Sequence, residues 1–369
     1  MTYAVDPTNT ASPADSDPFL QAAEEFRTLK AYLATQFAAL GGPVVAWNNR
    51  PGNVVINPDF NQWTNSTLDP DGWKTSVSGL TLTKTRTAHV VGQTAVPGEP
   101  RYYMTFTPSA NSGISNYGAV DFVVEDVRRL AGRTVTLTFY AQAASGTPSI
   151  SAEGIQNFGT GGTPTTEVNT ISVTKWALGL TFAKYTLTLT FPSILGATLG
   201  TDDNSYSAIR FWLSAGTNFS ARSGALGNQA IGISFSRIYM TEGGVSLAFE
   251  PWQPAIERAM CARYNQQYGG GINMGLCMGA ATTTSVVSGI LPLDYPMRAI
   301  PTAAIVGAAS NFQATLASPT AATSMALTPI STKAIRIDLT ASGTPFTVGR
   351  AYRIEAANAN GLINVTSTL

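Results

Sequence analysis

The chain runs to 369 residues, with 22 basic and 22 acidic side chains, zero net charge and charged residues at only 12%. This length exceeds one ordinary hydrophobic core, so two or three folding units are expected. With no basic run and no acidic tail, the sequence excludes an electrostatic nucleic-acid footprint, and with no apolar run of about 18 residues it predicts no membrane span.

Gly, Ala, Ser and Thr take the place of the missing charge. A surface so poor in charge is expected to be hidden by permanent assembly into an oligomer or a larger particle. The opening MTYAVDPTNTASPADSDPF has neither a basic start nor an apolar core, so it does not read as a signal peptide. Cys261 and Cys277 stand far apart with no histidine beside them, which predicts two free buried thiols and no metal.

Residues 1–17 read as an extended arm. Asp17 followed by Pro18 is a helix start, a side-chain cap ahead of proline at the first helical position. Over 19–40, Phe19, Ala22, Phe26, Leu29, Leu33 and Leu40 recur at three- and four-residue steps, with Gln36 in one slot. That is a heptad seam about three repeats long. Two readings stand: a coiled-coil helix that associates through Phe26, Leu29, Leu33 and Leu40, or an amphipathic helix packed on its own domain. Gly41, Gly42 and Pro43 end it, and a linker carrying Trp47 follows. Residues 1–42 form this first segment.

From Asn53 the pattern changes to short strands and turns. Residues 54–56 read as a strand, followed by Asn57, Pro58, Asp59 and Phe60, then Trp63, an Asp-Pro-Asp-Gly turn at 69–72 and Trp73. Further strands are expected at 80–87, 102–107 and 120–124. The clearest is 132–143, GRTVTLTFYAQA. Val135, Leu137 and Phe139 share one parity, and Thr134, Thr136, Thr138 and Tyr140 the other, the period of a half-buried strand. Its expected partners are 184–193, 206–215 and 231–242. Phe139, Leu137, Leu187, Phe211, Trp212 and Phe235 are then expected between two sheets. Glycine-rich loops are expected at 154–164, 196–204 and 220–227. The unit 53–252 therefore reads as an all-β sandwich of antiparallel strands.

In 253–369, Ile256, Met260, Tyr264 and Tyr268 at four-residue steps predict a short helix over 256–268, stopped by Gly269, Gly270 and Gly271. Strands follow at 274–284, 285–291, 302–306, 324–329, 334–340, 351–357 and 362–365, which read as a small second sandwich.

Several of these stretches, in this order, resemble a module of tailed-bacteriophage structural proteins. NVVINPDFNQW (53–63) is similar to that family's opening, and Asp71, Gly72 and Trp73 to the turn after it. TVTLTFYAQA (134–143), KYTLTLTFPS (184–193), and DNSY (203–206) with IRFWL (209–213) are similar to three of its strands. Ile238, Tyr239, Met240, Glu242 and Gly243, then Phe249, Glu250 and Pro251, resemble its ending, and ERAMCARY (257–264) resembles its helix. SPADSDPF and AEEFRTLKAYL resemble tail-fibre starts, with Phe26 where that pattern usually has isoleucine. The resemblance spans 53–369. It implies a jelly-roll fold like that of carbohydrate-binding modules, preceded by the helix and followed by a second small β domain, in a homotrimeric virion appendage. The implied partners are tail, baseplate or capsid proteins and host surface polysaccharide.

The chemistry of catalysis is sparse. His89 is the only histidine, which excludes a histidine triad and a His-rich metal site. A carboxylate pair for glycoside hydrolysis would come from Asp69, Asp71, Asp121, Glu125, Asp126, Asp202 and Asp203. Asp69, Asp71, Asp202 and Asp203 read as turn residues, where solvated carboxylates are the rule. Asp202, Asp203 and Asn204 on one loop also suit a hard cation such as calcium. The run Gly159, Thr160, Gly161, Gly162 lacks lysine and opens no helix, so it is no phosphate loop. Trp47, Trp73, Trp176 and Trp252 lie near expected loops and are the candidate sugar platforms, with packing inside the protein or on a neighbouring subunit as the competing role. Trp63 and Trp212 read as core. No cofactor is expected.

The expectation is a non-enzymatic virion structural protein, foremost a trimeric tail fibre or fibre-like appendage that contacts host glycans through the sandwich loops or the tip. A capsid decoration or head-fibre protein with a purely structural role is the alternative. A glycan-degrading tailspike is a third, although the period of a parallel β-helix is missing.

Overall fold

The computed structural model describes residues 53–367. The helix expected over 19–40, with Phe26, Leu29, Leu33 and Leu40, lies outside the described residues, as does Trp47. Gly52–Leu369 is one compact unit. Among the described residues no helix is long and apolar enough to cross a membrane.

Ten strands build a sandwich: β1 (Trp73–Ser78), β2 (Leu82–Ala88), β3 (Tyr102–Pro108), β4 (Tyr117–Glu125), β5 (Thr134–Ala143), β6 (Ser149–Asn157), β7 (Val168–Ala177), β8 (Ala183–Thr190), β9 (Tyr206–Ala215) and β10 (Ile233–Glu242). The first sheet has the order β1-β4-β9-β6-β7 and the second β2-β3-β10-β5-β8. All neighbours are antiparallel. The chain passes repeatedly from one sheet to the other, which makes the sandwich jelly-roll-like.

Strand β5 shows why the two sheets close on each other. Val135, Leu137, Phe139 and Ala141 have no exposed surface and face the first sheet. Phe139 is central. Its ring lies 5.1 Å from Phe211 across the sandwich, 5.4 Å from Tyr185 in a stacked pair, 5.4 Å from Trp176 edge-on and 6.1 Å from Phe235. Stacked and edge-on ring pairs add about 0.5–1.5 kcal/mol each beyond the burial of area.

Trp212 departs from its expected place. It is fully buried, but its neighbour Phe211 takes the inter-sheet face, so strand alternation turns Trp212 to the outer face of the first sheet. There it packs with Ala119, Ala215, Tyr117 and Phe219. Its indole N–H donates to Glu153 Oε1 at 3.2 Å, and Arg210 and Arg222 lie over the ring at 5.3 and 5.5 Å.

Two other expectations change. The loop expected from 154 begins inside β6. A Cβ on Gly154 would sit 2.7 Å from Leu189 Cδ1 and 3.1 Å from Ile171 Cβ, so this glycine marks a close approach of packed side chains within a strand, not a turn. Residues 54–56 form no strand. Asn53 Oδ1 instead accepts from Val55 N at 2.9 Å and Met240 N at 3.1 Å, pinning an irregular segment to β10.

A helical turn, α1 (Ser220–Ser223), lies between β9 and β10, and after the sandwich comes α2 (Pro254–Ala262), with proline in its first turn. It stops before Tyr264 and Tyr268, both expected on it. Tyr268 belongs to β11 (Asn265–Gly269). A four-residue step fits a helical turn and also two strand periods, so the spacing could not separate the two. The rest is β12 (Met274–Ala281), β13 (Val286–Pro292), β14 (Thr302–Val306), β15 (Phe312–Thr315), β16 (Pro319–Ser331), β17 (Ala334–Ala341), β18 (Ala351–Ala356) and β19 (Leu362–Thr366). Strands β12-β13-β17-β16-β15-β18 close into a barrel, and β11-β19-β14 form a separate sheet. The expected second sandwich is thus a closed barrel. Gly279 and Gly289 face each other across β12 and β13, where a Cβ would meet Ser288 O at 2.7 Å or Met278 O at 2.8 Å. Phe312, Ile335, Ile337, Leu339 and Ile354 fill the second core. Cys261 is buried, whereas Cys277 is only half-buried because it lies on the barrel wall.

Replacing Phe139 by alanine should cost about 3–5 kcal/mol in urea unfolding, because it empties the centre of the core. Thr186→Ala, on the exposed parity of β8, should stay within about 0.5 kcal/mol of the parent. Equal costs for the two would mean the inward face is misassigned.

Candidate functional site

The motif residues of the sandwich opening are buried polar clamps. Asn57 Nδ2 donates to Gln62 O at 2.6 Å and Asp71 O at 2.9 Å, while its Oδ1 accepts from Gln62 N at 3.0 Å. Asp71 accepts from the Thr64 hydroxyl at 2.6 Å and from Asn265 Nδ2 at 2.8 Å. Asp59 pairs with Arg237 at 3.3 Å.

The ERAMCARY helix docks on this end. Glu257 is buried beside Asp59, and Cys261 Sγ lies 4.0 Å from Asp71 O. Past the helix, Arg263 Nη2 donates to Glu125 Oε2 at 2.8 Å, the Tyr264 hydroxyl donates to Glu125 Oε1, and Arg298 adds its charge at 3.8 Å. Burial raises the Asp59 and Asp71 carboxyls. Burial, then the Asp59 charge, lifts Glu257 from the ordinary 4.5 to about 7. Burial would also raise Glu125, but the bonds from Tyr264 and Arg263 outweigh it and hold that carboxyl low.

Of the other acidic candidates, Asp69, Asp121, Asp126 and Asp202 have internal partners. Asp69 accepts from Thr75 N at 2.8 Å and pairs with Lys84 at 3.0 Å. Asp121 pairs with Arg210 at 2.6 Å. Asp126 caps the turn at Val127–Arg129, accepting from Arg128 N at 3.0 Å. Asp202 accepts from the Thr160 hydroxyl at 2.8 Å, Asn204 Oδ1 accepts from Thr160 N at 2.8 Å, and Asp203 takes a φ of 51° between them. Among the described residues no group of three His, Cys, Asp or Glu side chains is placed to hold a metal ion.

The tryptophans are mostly in use as well. Trp73 is 2% exposed, held between Phe60 and Phe122 at 5.2 and 5.8 Å, with its N–H on Asn57 O at 3.2 Å. It has no face open to a ligand. Trp176 is half-buried and packs edge-on to Phe139 and Tyr185. Trp252 is half-buried and donates to Val55 O at 2.9 Å, which ties the end of the sandwich to its start. Trp63 is half-buried under Arg86 at 5.6 Å and donates to Leu68 O at 3.2 Å.

A different surface combines flat rings with hydrogen-bonding groups: the outer face of the second sheet. Its outward parity is a ladder of hydroxyls. Thr134 pairs with Thr190 at 2.8 Å, Thr136 with Thr188 at 3.2 Å, and Thr105 with Ser234 at 2.8 Å. Beside the ladder, His89, Tyr103 and Phe182 form an aromatic triangle with centroid distances of 4.9, 5.4 and 5.4 Å, and all three are half-buried. His89 follows β2, Tyr103 lies on β3, and Phe182 comes from the loop into β8. His89 Nε2 meets Ser236 Oγ at 2.9 Å. Burial, then the Arg237 charge, lowers the His89 pKa, so the ring is neutral at pH 7. Burial raises the half-buried Tyr140 phenol, the cross-strand partner of Ser236, which keeps it protonated. Ring faces bordered by neutral hydroxyls match a pyranose, whose C–H face lies on a ring while its hydroxyls bond at the margin. Sequence reasoning looked to loop tryptophans and missed these residues. The signal was the outward parity of the Thr-rich strands.

No family model and no curated protein matches the chain. Among solved structures it is similar to one described as "CBM4 structure and function", at 16% identity over 51% of this chain and 99% of that one, with a TM-score of 0.32. It is similar to a family 11 carbohydrate-binding module from Clostridium thermocellum in complex with a β-1,3-1,4-mixed-linked tetrasaccharide, at 10% identity over 51% and 95%, TM-score 0.30. It is also similar to the enzymatically active domain of tailspike protein 4 of bacteriophage CBA120, at 15% identity over 52% of this chain and 21% of that one, TM-score 0.32. These are distant likenesses over about half of the chain, and no binding residue of theirs is carried over to it.

Glu257 gives a pH test of the docked helix. Its folded-state pKa is raised, so between about 4.5 and 7 the folded chain binds more protons than the unfolded one. Its contribution to stability therefore falls as pH rises through that window. Glu257→Gln cannot titrate. Its melting temperature relative to the parent should climb across the same window when followed by circular dichroism. A constant offset would mean that Glu257 is solvated.

Proposed function

We propose that this chain is a non-enzymatic structural protein of a bacteriophage virion and that its sandwich contacts glycans through the outer face of the β2-β3-β10-β5-β8 sheet. The observation that carries the glycan reading is the triangle of His89, Tyr103 and Phe182 set against the hydroxyl ladder. The virion setting rests on the ordered motifs shared with tailed-phage structural proteins. Within that setting the protein is a homotrimeric tail fibre or fibre-like appendage, joined to tail, baseplate or capsid proteins, and its glycan is host surface polysaccharide. The commitment of Asp69, Asp71, Asp121 and Glu125 to internal partners supports a binding role without hydrolysis.

Tyr103→Ala and Phe182→Ala should each weaken binding to host polysaccharide by about tenfold, a loss of roughly 1.4 kcal/mol, with the circular dichroism spectrum unchanged. Unaltered affinity in both would remove this face from consideration, and release of reducing sugar by the purified protein would overturn the non-enzymatic reading. Light scattering on the full chain should report three copies. A monomer at micromolar concentration would rule out the trimer.

A further inference from the structure

The outer face of the β2-β3-β10-β5-β8 sheet is nearly free of charge. By the strand registers its outward positions are Thr, Ser, Tyr and Gln142, with one charged side chain, Lys184, and no carboxylate. Lys184 stands on the edge strand β8, where Leu187 and Leu189 turn into the core and Thr186 and Thr188 are exposed on its own side. Lys184 is itself exposed.

The charges that border the face are spent on one another. Lys84 pairs with Asp69, Arg133 with Glu242 and Arg237 with Asp59. Glu99, whose charge reaches His89, accepts from Gly92 N at 3.1 Å. Lys184 pairs with no carboxylate among the described residues. A lysine on an edge strand discourages pairing with a foreign sheet. Lys184 also has neighbours that an edge guard does not need. Its cross-strand partner is Tyr140, Tyr140 faces Ser236, and Ser236 meets His89. Phe182 is two residues away, about 7 Å along an extended chain. The ammonium on its four-carbon stem therefore reaches a sugar that lies against Phe182 or Tyr140. It has three donors and no acceptor, and a carboxylate bonds it about twice as strongly as a neutral group would. An anionic ligand meets no like charge on the outward positions of this sheet.

We propose that the glycan taken by this face is acidic, a polysaccharide with carboxylate-bearing units such as uronic acids, and that Lys184 is the residue that selects it. That a glycan binds here rests on the function proposed above. The sign of its charge rests on Lys184 and on the absence of carboxylates from the outward positions.

The test titrates the full-length protein by calorimetry with hyaluronan, polygalacturonate and alginate, each beside its carboxyl-reduced neutral form, at low and high salt. At least one acidic polymer should bind the parent about tenfold more tightly than its reduced form, and that preference should shrink as salt rises. Lys184→Ala and Lys184→Gln should abolish the preference and leave the affinity for the reduced form unchanged, while Lys184→Arg should keep it. Tyr103→Ala should weaken both forms alike. Lys184 is exposed, so its variants should melt with the parent. Equal binding of an acidic polymer and its reduced form, binding of the neutral forms alone, or a preference that survives in Lys184→Ala would overturn the proposal and leave the glycan reading standing, with the lysine as an edge guard only. Absence of binding to all six polymers would remove both.

Discussion

A buried guanidinium ties together the end of the sandwich at which three loops and a helix converge. Arg237 sits at the bulge in β10 with a φ of 47°, a conformation that L residues adopt at a cost of about 1–3 kcal/mol. Its side chain bonds both oxygens of Asp59, the carbonyls of Pro97 and Gly98, and lies over the Phe249 ring at 4.3 Å. The opening loop, the 97–98 loop and the closing Phe249 segment are thus held by one cation. Gly98 is glycine because a Cβ there would lie 2.3 Å from Arg237 Nη1. Without Arg237, Asp59 would face Glu257 with no counter-charge, and helix α2 would bring its own buried carboxyl against an unpaired one. Breaking such a pair by removing one partner costs about 3–5 kcal/mol, far more than a surface bridge is worth.

The scarcity of charge also finds a local account. In β2, β3, β5, β8 and β10 the outward positions are mainly Thr, Ser and Tyr, with Gln142 and Lys184 among them, and several of the hydroxyls bond across strands. A sheet face can stay polar in this way with few charges, since paired hydroxyls satisfy each other. Part of the ladder is itself covered. Thr136 donates to Gly243 O at 2.8 Å, and Thr138 meets Ser246 at 2.7 Å, as the chain leaves β10. Toward His89 and Phe182, rings replace the hydroxyls.

Legibility in the sequence followed the strength of local periodicity. Strands β5 and β9 were readable to within two residues because each alternates cleanly, and the inward Leu137, Phe139, Leu187, Phe211 and Phe235 followed from parity. Trp212 lies on the opposite parity from its neighbour Phe211, so the two cannot both face the other sheet. Strands β6 and β7 were invisible. SISAEGIQN is buried on both faces and carries a glycine that serves packing, so it shows neither alternation nor hydrophobic density. The motif residues were found by resemblance, but their roles as clamps depend on partners as far apart as Asp71 and Asn265, which no local pattern connects. The aromatic triangle is of the same kind: His89, Tyr103 and Phe182 meet only because the sheet order brings β2, β3 and the loop into β8 to one face.

Clusters of displaced pKa values often mark catalytic sites, and Asp59, Asp71, Glu257, Cys261 and Tyr264 form such a cluster. In each of them burial is the leading cause, and each lies at the seam between the sandwich and the C-terminal unit. Their geometry favours a structural account. The Tyr264 hydroxyl is spent on Glu125, Asp71 is spent on Thr64 and Asn265, and Cys261 stays a thiol against a carbonyl. The seam then carries two opposite proton linkages. Glu125, held low by Tyr264 and Arg263, adds stability that is present above its unfolded pKa and lost as pH falls through its folded one. Asp59, Asp71 and Glu257, all raised, favour the folded state most when protonated and weaken it as pH rises, for Glu257 up to about 7. The two trends meet in mildly acidic solution, where Glu125 is still ionised and Glu257 still protonated. A joint balanced in this way loses the Glu125 contribution in acid and the Glu257 contribution toward neutrality, a property of how two β units are joined and independent of whether any bond in a substrate is ever broken.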